Sequence, residues 1–417
     1  MDSGNLVELE HAIGYNGNYL DTVHYHPELP NMIVYNIGGL IVIEDINDTH
    51  NQAFLRYHDM PISALTVSAT GNLIASGQVG SDRSREREAP VIVWDFNSKK
   101  PIFKFTTMRE KVTTLKFSPD DRFLAGIGAN NVFIIWDCQD GSAIYTKNTE
   151  QPRHTLAWGP ITKQGRYPSY TLISAQQTGV IVHNLDFDIG SMTYIIRPEN
   201  CQLPSSGLVR SYTHSVCDPD GQTFYACTTG SEFCVFNLSA KVFKSSIPTS
   251  SNGLLCLVPM DDFLFAGSGD GKVKKLQRVD GKFILQAECQ LEGRVASLSL
   301  SSDRKELLCG TSEGLIYRVL TSDLSNMVHA ESATGPVKDI SFGERSDRFS
   351  TIDDDGALRL WDLSEYRMIA KGASKTLNRI GGTSCCIADD ETIISGWEDG
   401  FMRCFAPNGQ KVWEIAN

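Results

Sequence analysis

The sequence has 417 residues, of which 41% are hydrophobic, and it carries 38 Lys and Arg against 50 Asp and Glu, for a net charge of −12. Nucleic acids and anionic membrane surfaces bind clustered basic residues, so this charge argues against both and favours protein partners. The apolar runs are no longer than strands, and the first residues are acidic, so we expect neither a membrane span nor a secretory signal. The eleven cysteines form no CxxC pair, and we expect reduced, cytosolic thiols.

Along the chain, short apolar runs alternate with turns rich in Gly, Asp and Asn, and this pattern repeats in nine successive units. Within each run apolar and polar residues alternate, which indicates a β-strand, and no stretch has a helical period. The units begin near residues 19, 62, 112, 154, 211, 253, 295, 337 and 380. The sequence therefore predicts an all-β chain.

Three of the units contain a Trp-Asp pair at the end of a strand. Residues 118–136 and residues 343–361 superimpose without a gap, and a third copy is stretched by an insertion. A recurring strand, turn, strand and Trp-Asp unit of about forty residues is the signature of a WD-repeat β-propeller blade. The pairs are Trp94-Asp95, Trp136-Asp137 and Trp361-Asp362. The predicted fold class is an all-β WD-repeat β-propeller.

The number of units predicts how the chain divides into domains. Nine units exceed the usual count of about four to eight blades in one closed propeller. We expect one seven-bladed ring in residues 1–332 and the first two blades of a second ring in residues 333–417. The alternative is that one unit is not a complete blade. The sequence ends in an apolar strand, KVWEIAN, which favours the two-ring interpretation and a longer parent protein.

In well-formed repeats of this type, a His before the first strand, a Ser or Thr, a turn Asp and the Trp form a hydrogen-bonded set. The sets that this sequence offers are His58, Ser76 and Trp94 in the second unit and Thr351, Asp355 and Trp361 in the eighth. Units four to seven lack the Trp, and the eighth has Gly-Pro where the His belongs. Because such sets satisfy buried polar groups, we assign these residues a structural role.

Few residues suggest chemistry. The glycine-rich segment at residues 267–272 leads into a strand and not a helix, so it predicts a turn rather than a phosphate-binding loop. His24 and His26 share one face of a strand and could hold a metal, but no further ligands follow at suitable spacing, which favours structural histidines. We find no nucleophile elbow or HExxH motif, and we predict no catalytic residue, cofactor, metal or small-molecule substrate.

The most distinctive local feature is the insertion at residues 80–90, GSDRSREREAP, in the second unit. Its Arg83, Arg85 and Arg87 are interleaved with acidic residues. Blade insertions map to loops, and arginine is favoured at protein interfaces, so the three arginines form a candidate partner-binding loop. A solvated surface loop of nearly balanced charge is the alternative.

Four stretches, in the same order along the chain, are similar to one known family. They are GYNGNY at 14–19, YHP at 25–27, GNLIASGQV at 71–79 and ISGWEDGFMRCFAP at 394–407. Together they resemble the cilia- and flagella-associated WD-repeat proteins that line the inside of axonemal doublet microtubules. The resemblance covers the whole chain, although the family runs longer, to two complete propellers.

The resemblance implies a non-enzymatic scaffold of motile cilia and flagella, a microtubule inner protein that binds tubulin and neighbouring axonemal inner proteins. It implies a location in the cytoskeleton of the axoneme and transfers no catalytic residue to this chain. A cytosolic WD-repeat adaptor in an actin- or ubiquitin-linked complex is the alternative, because it shares the fold and the surface logic. A propeller hydrolase is a third hypothesis, for which we find no motif.

Overall fold

The computed structural model describes residues 8–164, 167–176, 179–204, 210–333, 335–344, 347–372, 380–388 and 391–416. In these ranges the chain forms β-strands joined by turns, and the all-β class predicted from the repeats is confirmed. The same ranges contain no helix long and apolar enough to cross a membrane.

Consecutive strands in the described ranges form nine antiparallel sheets, one for each unit of the sequence. Sheet 1 consists of β1 Val23–Tyr25, β2 Met32–Ile37, β3 Leu40–Asp45 and β4 Asp48–Arg56. Sheet 2 consists of β5 Ile62–Val67, β6 Leu73–Gln78, β7 Val91–Asp95 and β8 Pro101–Phe105. Sheet 3 consists of β9 Val112–Phe117, β10 Phe123–Gly128, β11 Val132–Asp137 and β12 Ala143–Asn148. Sheet 4 consists of β13 Arg153–Trp158, β14 Thr162–Gln164, β15 Tyr167–Gln176, β16 Gly179–Asp188 and β17 Thr193–Asn200, with β14 paired to β15.

The remaining five sheets have four strands each, in chain order. Sheet 5 consists of β18 Tyr212–Cys217, β19 Thr223–Thr228, β20 Glu232–Asn237 and β21 Val242–Pro248. Sheet 6 consists of β22 Leu254–Met260, β23 Phe263–Ser268, β24 Lys272–Val279 and β25 Lys282–Gln290. Sheet 7 consists of β26 Val295–Leu300, β27 Glu306–Thr311, β28 Leu315–Leu320 and β29 Asn326–Glu331. Sheet 8 consists of β30 Val337–Phe342, β31 Arg348–Asp353, β32 Leu358–Asp362 and β33 Arg367–Gly372. Sheet 9 consists of β34 Gly382–Ile387, β35 Ile393–Trp397, β36 Phe401–Phe405 and β37 Lys411–Ala416.

The first seven sheets close into a ring. The first strand of each sheet contacts the first strand of the next, and β26 of sheet 7 contacts β1 of sheet 1. At this junction the Val23 N–H donates to Ser297 Oγ at 3.0 Å, and the Tyr25 N–H donates to Ser299 Oγ at 2.9 Å. Residues 15–46 and 53–329 make up the compact unit that contains the ring.

The core of the ring lies between adjacent sheets. Between sheets 2 and 3, for example, Val91 and Val93 of β7 pack with Leu124, Ile134 and Trp136 of sheet 3. Each fully buried aliphatic side chain contributes roughly 1.5–3 kcal/mol relative to an exposed one. Packing between neighbouring sheets therefore stabilises the ring.

A second compact unit contains sheets 8 and 9. It consists of residues 8–14, 47–52 and the described part of 330–416. Leu360 of sheet 8 packs with Ile393 and Phe405 of sheet 9 in its core. The His11 ring stacks on Tyr366 with 3.9 Å between ring centroids, which ties the N-terminal segment into this unit. The division at residue 332 that the repeat count predicts stays a prediction.

Candidate interaction surface and the repeat residues that support it

In sheet 2 the predicted polar residues belong to one continuous hydrogen-bonded chain. The Trp94 indole N–H donates to Ser76 Oγ at 2.8 Å, and Ser76 Oγ lies 2.7 Å from His58 Nε2. His58 Nδ1 lies 2.7 Å from Gln78 Oε1, and the Gln78 amide nitrogen donates to Asp59 Oδ1 at 2.6 Å. Because an amide oxygen only accepts, His58 Nδ1 carries the proton and the Ser76 hydroxyl donates to Nε2. Each donor in this hydrogen-bonded set thus meets an acceptor.

The burial of this hydrogen-bonded set fits a structural role. Burial lowers the pKa of His58 to about 4, against the opposing influence of Gln78 and Asp59, so the imidazole is neutral near pH 7. Ser76 is fully buried, and Trp94 is 1% exposed. A buried polar network whose members are all paired rigidifies the structure around it. These residues hold the strands of sheet 2 in register.

Sheet 8 keeps the Trp and the hydroxyl of this set. The Trp361 indole N–H donates to Thr351 Oγ1 at 2.9 Å. Thr351 pairs with Ile340, and Trp361 with Phe349, which are the same register positions that the Ser and Trp of sheet 2 occupy. The Trp and hydroxyl bond is therefore formed in both compact units.

In sheet 8 no carboxylate is bonded to the Trp and Thr among the described residues, neither the predicted Asp355 nor the nearby Asp353. Asp355 lies exposed in the turn after β31 and is not joined to the Trp and Thr of that sheet. Asp353, the last residue of β31, accepts the Ala357 N–H at 2.7 Å and a guanidinium N–H of Arg359 at 2.6 Å. Asp353 is 1% exposed because it still belongs to the strand, whereas Asp355 lies two residues beyond the strand end.

The remaining Trp-Asp residues have two separate roles. Trp136 is buried where Gly126 replaces the Ser, and its ring stacks on Phe105 with 4.7 Å between centroids. A Cβ on Gly126 would lie 2.9 Å from the Trp136 ring, so the glycine makes room for it.

The Asp after each Trp accepts a backbone N–H in the following turn. These bonds are Ser98 to Asp95 at 2.6 Å, Gln139 to Asp137 at 2.9 Å and Ser364 to Asp362 at 2.8 Å.

Where the Trp is absent, other side chains fill the same register positions. In sheet 4 the Ser174 hydroxyl lies 2.9 Å from Nε2 of the buried His183, which replaces the Trp. In sheet 9 Phe405 occupies the Trp position, and the Trp397 indole of the second strand donates to Ser395 Oγ at 2.9 Å. Sheets 5, 6 and 7 use the apolar pairs Ala226 with Phe236, Ala266 with Leu276 and Cys309 with Val319. Sequence reasoning missed these substitutes, because they are visible only after the strands are aligned by register.

His24 and His26 are both bound to the backbone. The Nε2 of His24 lies 2.9 Å from the Leu65 carbonyl oxygen. The Nε2 of His26 lies 3.1 Å from the Gly71 carbonyl oxygen, while its Nδ1 accepts the Leu29 N–H at 3.0 Å. Within the described residues no group of three or more His, Cys, Asp or Glu side chains is placed to hold a metal ion.

The insertion at residues 80–90, called the arginine hairpin below, connects β6 to β7 and is fixed by the backbone of the segment between β8 and β9. The Ala89 N–H donates to the Met108 carbonyl at 3.0 Å, and the Glu110 N–H donates to the Arg87 carbonyl at 2.8 Å. The segment that receives it leads directly into β9, the first strand of sheet 3. These bonds give the hairpin a defined position on the ring.

The three arginine side chains of the hairpin are exposed. Arg87 lies 3.7 Å from Asp82, with 54% and 72% of the two side chains exposed, so this ion pair contributes little to stability. Arg83 and Arg85 form no ion pair with any residue that the structure describes. Guanidinium groups on an ordered loop can bind carboxylates in two-pronged contacts at a small entropic cost. The hairpin is the strongest candidate for an interaction surface.

The closed ring of antiparallel sheets with Trp-Asp pairs defines the class of protein. The chain is a WD-repeat β-propeller protein, as predicted, and the family described as WD domain, G-beta repeat matches residues 99–137.

The chain is similar along almost its whole length to curated proteins named cilia- and flagella-associated protein 52. It is 29% identical to the Chlamydomonas reinhardtii protein over 97% of this chain, and 27% identical to the Homo sapiens protein over 99%. The alignment spans 64% of the length of each of these relatives. WD repeat-containing protein 90 of Homo sapiens is 23% identical over 97% of this chain and 23% of its own length. The resemblance inferred from the four sequence stretches is confirmed.

Proposed function

We propose that this chain is a non-enzymatic structural scaffold of motile cilia and flagella. Similarity to proteins named cilia- and flagella-associated protein 52 over 97% and 99% of the chain carries the proposal and supports a location in the axoneme. The finer role is that of a microtubule inner protein, which binds tubulin and neighbouring inner proteins inside doublet microtubules. A closed ring suits this role, because its sheets stabilise one another and leave the loops free to vary.

The arginine hairpin is the proposed contact region for such a partner. Its backbone is held by the segment before β9, and Arg83 and Arg85 project from it without an ion pair among the described residues. Arginine is enriched at protein interfaces because its planar group makes several directional hydrogen bonds at once. Acidic side chains on the partner would complete the contact.

The test is to determine where the protein lies in isolated doublet microtubules, by averaging tomograms of axonemes with and without a mass tag on the chain. We expect the tag inside the microtubule wall at a regular axial repeat. Tag density only outside the lumen would contradict the inner-protein role. Accumulation of the protein in cells that never form cilia, with no axonemal signal, would support the cytosolic adaptor instead.

A further inference from the structure

The ring contains a cavity of about 360 Å³ between the segment before β1 and the first strands of sheets 2 to 5. Its lining comes from the segment before β1 and from β5, β9, β13 and β18. The volume lies in the range of roughly 300–1,000 Å³ that is typical of ligand sites. The cavity is therefore large enough to receive a side chain or a small molecule.

The cavity carries one positive charge that no described residue balances. Lys116 and Asp21 form an ion pair within it, so the charge of Lys116 is compensated. Burial alone would raise the pKa of Asp21, but Lys116 outweighs this effect and keeps the pKa well below its usual range. Lys111 also lines the cavity, half-buried and 6.0 Å from the centre of the Tyr19 ring, and it forms no ion pair with a residue in the described ranges.

Two histidines add polar groups to the lining, His154 near Lys111 and His214 near Asp21 and Lys116. Burial lowers the pKa of His214 to about 4, and burial together with Lys111 lowers the pKa of His154, so both rings are neutral near pH 7. The Nδ1 of His214 is buried without a hydrogen-bond partner among the described residues. A buried polar atom left without a partner is costly, and an occupant with an acceptor or donor would relieve that cost.

Two hydroxyl groups of the lining already donate their hydrogen to backbone carbonyls. Ser63 Oγ donates to the Val112 carbonyl at 2.7 Å, and Thr213 Oγ1 donates to the Leu254 carbonyl at 2.5 Å. A hydroxyl has a single hydrogen, so these two groups can offer an occupant only lone pairs. Among the donors of the lining, Lys111 is the one that also carries an uncompensated charge.

We propose that this cavity binds the carboxylate of an acidic side chain from an extended segment of a partner protein, an inference that rests on the proposed scaffold role. One uncompensated charge matches a carboxylate better than a phosphate, which carries more charge and favours arginine forks or clustered backbone N–H groups. Leu20, which is 38% exposed, and the Tyr19 ring offer apolar surface to the aliphatic stem of a glutamate.

The arginine hairpin extends this site. Val79, directly before the hairpin, forms a β-bridge with Lys111, so the exposed arginines lie on the segment that adjoins the cationic wall of the cavity. A partner segment with several acidic residues could place one in the cavity and others against Arg83 or Arg85. The occupant is accordingly an acidic peptide rather than a single free anion.

The experiment measures binding of fluorescein-labelled hexaglutamate to the whole chain by fluorescence anisotropy at low salt. The variants are Lys111→Gln, Lys111→Arg and, as a control with the same loss of charge, Lys100→Gln at an exposed site between β7 and β8. We expect Lys111→Gln to weaken binding by about tenfold, because a charge-assisted contact is lost. Lys111→Arg should bind as the unmodified chain does, and Lys100→Gln should stay within about twofold because exposed charges act weakly and are screened.

Three results would overturn the assignment. They are equal weakening by Lys111→Gln and Lys100→Gln, absence of binding at millimolar peptide, and displacement of the peptide by inorganic phosphate at lower concentration than by acetate. Matched melting temperatures for the variants exclude a folding defect as the cause of lost binding. Failure of this test while the tagged chain still lies inside doublets would reject the cavity assignment alone, and the scaffold role would stand.

Discussion

The inner strands of sheets 2 and 8 share one register but differ in burial. Leu65 of β5 pairs with Ser76, and Ile340 of β30 pairs with Thr351, yet the exposed fractions are 2% for Leu65 and 53% for Ile340. β5 contacts the first strands of sheets 1 and 3 in the closed ring, whereas β30 contacts β34 of sheet 9. The repeat therefore specifies the sheet, while closure of the ring buries its inner strand.

The largest expected effect on the free energy of unfolding comes from removing the buried side chain of this comparison, Leu65 of β5. Leu65→Ala removes a side chain buried on both sides and should lower the free energy of unfolding by roughly 2–5 kcal/mol. Ile340→Ala removes an exposed side chain and should change it by no more than about 0.5 kcal/mol. Urea unfolding followed by tryptophan fluorescence and circular dichroism measures both. Equal costs at the two sites would show that β30 is buried in solution.

Removing the hydroxyl from the Trp and hydroxyl bond tests whether this bond stabilises both compact units. Ser76→Ala leaves the Trp94 indole N–H and His58 Nε2 without their shared partner, and burial of unpaired polar groups should cost about 1–3 kcal/mol. Thr351→Ala leaves only the Trp361 N–H unpaired, so we expect about half that cost.

The same urea experiment, read with the midpoint shift of each variant, checks this ratio. Ser76→Thr and Thr351→Ser keep the hydroxyl and serve as controls. A negligible cost of Thr351→Ala would show that the Trp361 bond in sheet 8 is open to water. The Trp and hydroxyl bond would then stabilise a sheet only where ring closure buries it.

The pH dependence is a smaller effect that belongs to the ring. His58 has its pKa lowered to about 4 in the folded chain, below the value of about 6.5 in an unfolded chain. Between these two pKa values the unfolded state binds a proton that the folded state does not bind. The free energy of unfolding therefore decreases as the pH falls from about 6.5 towards 4. Burial lowers the pKa values of His24, His26, His154 and His214 in the same direction.

Unfolding free energies of the unmodified chain and His58→Gln across this pH range isolate the share of His58. The variant should be less stable at neutral pH and should show a shallower loss on acidification. Parallel curves would mean that His58 is already solvated in the native ring.

The sequence predicts those parts of the molecule that depend on local spacing. The Trp94 and Trp361 bonds could be foreseen, because the hydroxyl and the Trp lie on adjacent strands of one hairpin. The burial of Asp353 and the exposure of Asp355 could not, since these two carboxylates lie on opposite sides of the strand end. A two-residue offset of this kind depends on where hydrogen bonding stops.

Features that arise from ring closure lie further from the reach of sequence reasoning. Lys111 and His214 are about one hundred residues apart, and they line one cavity only because sheets 3 and 5 converge on it. His183 illustrates the same limit, since its role as a replacement for Trp follows from the register of β16 against β15. The arginine hairpin was visible as an insertion, but its attachment to the segment before β9 was not.

The smallest expected effect on stability is at the arginine hairpin, whose arginine side chains are exposed, unlike the side chains of the buried strands. Replacing Arg83, Arg85 and Arg87 with Ser should leave the free energy of unfolding within about 0.5 kcal/mol, because the side chains are exposed and the hairpin is held by backbone bonds. Arg87 has a φ of 50°, and Ser there keeps an ordinary side chain, so the change in backbone strain is small.

Binding to isolated doublet microtubules, measured by co-sedimentation, should weaken by about tenfold or more, since arginines are frequent hot spots at interfaces. Ser at Lys100, Lys282 and Lys305, three exposed positions outside the hairpin, removes the same charge and should leave binding nearly unchanged. A large drop in melting temperature would mark the hairpin as structural. If both triple variants lose binding equally, net charge rather than the hairpin drives the association, and the contact region must be sought on another face of the ring.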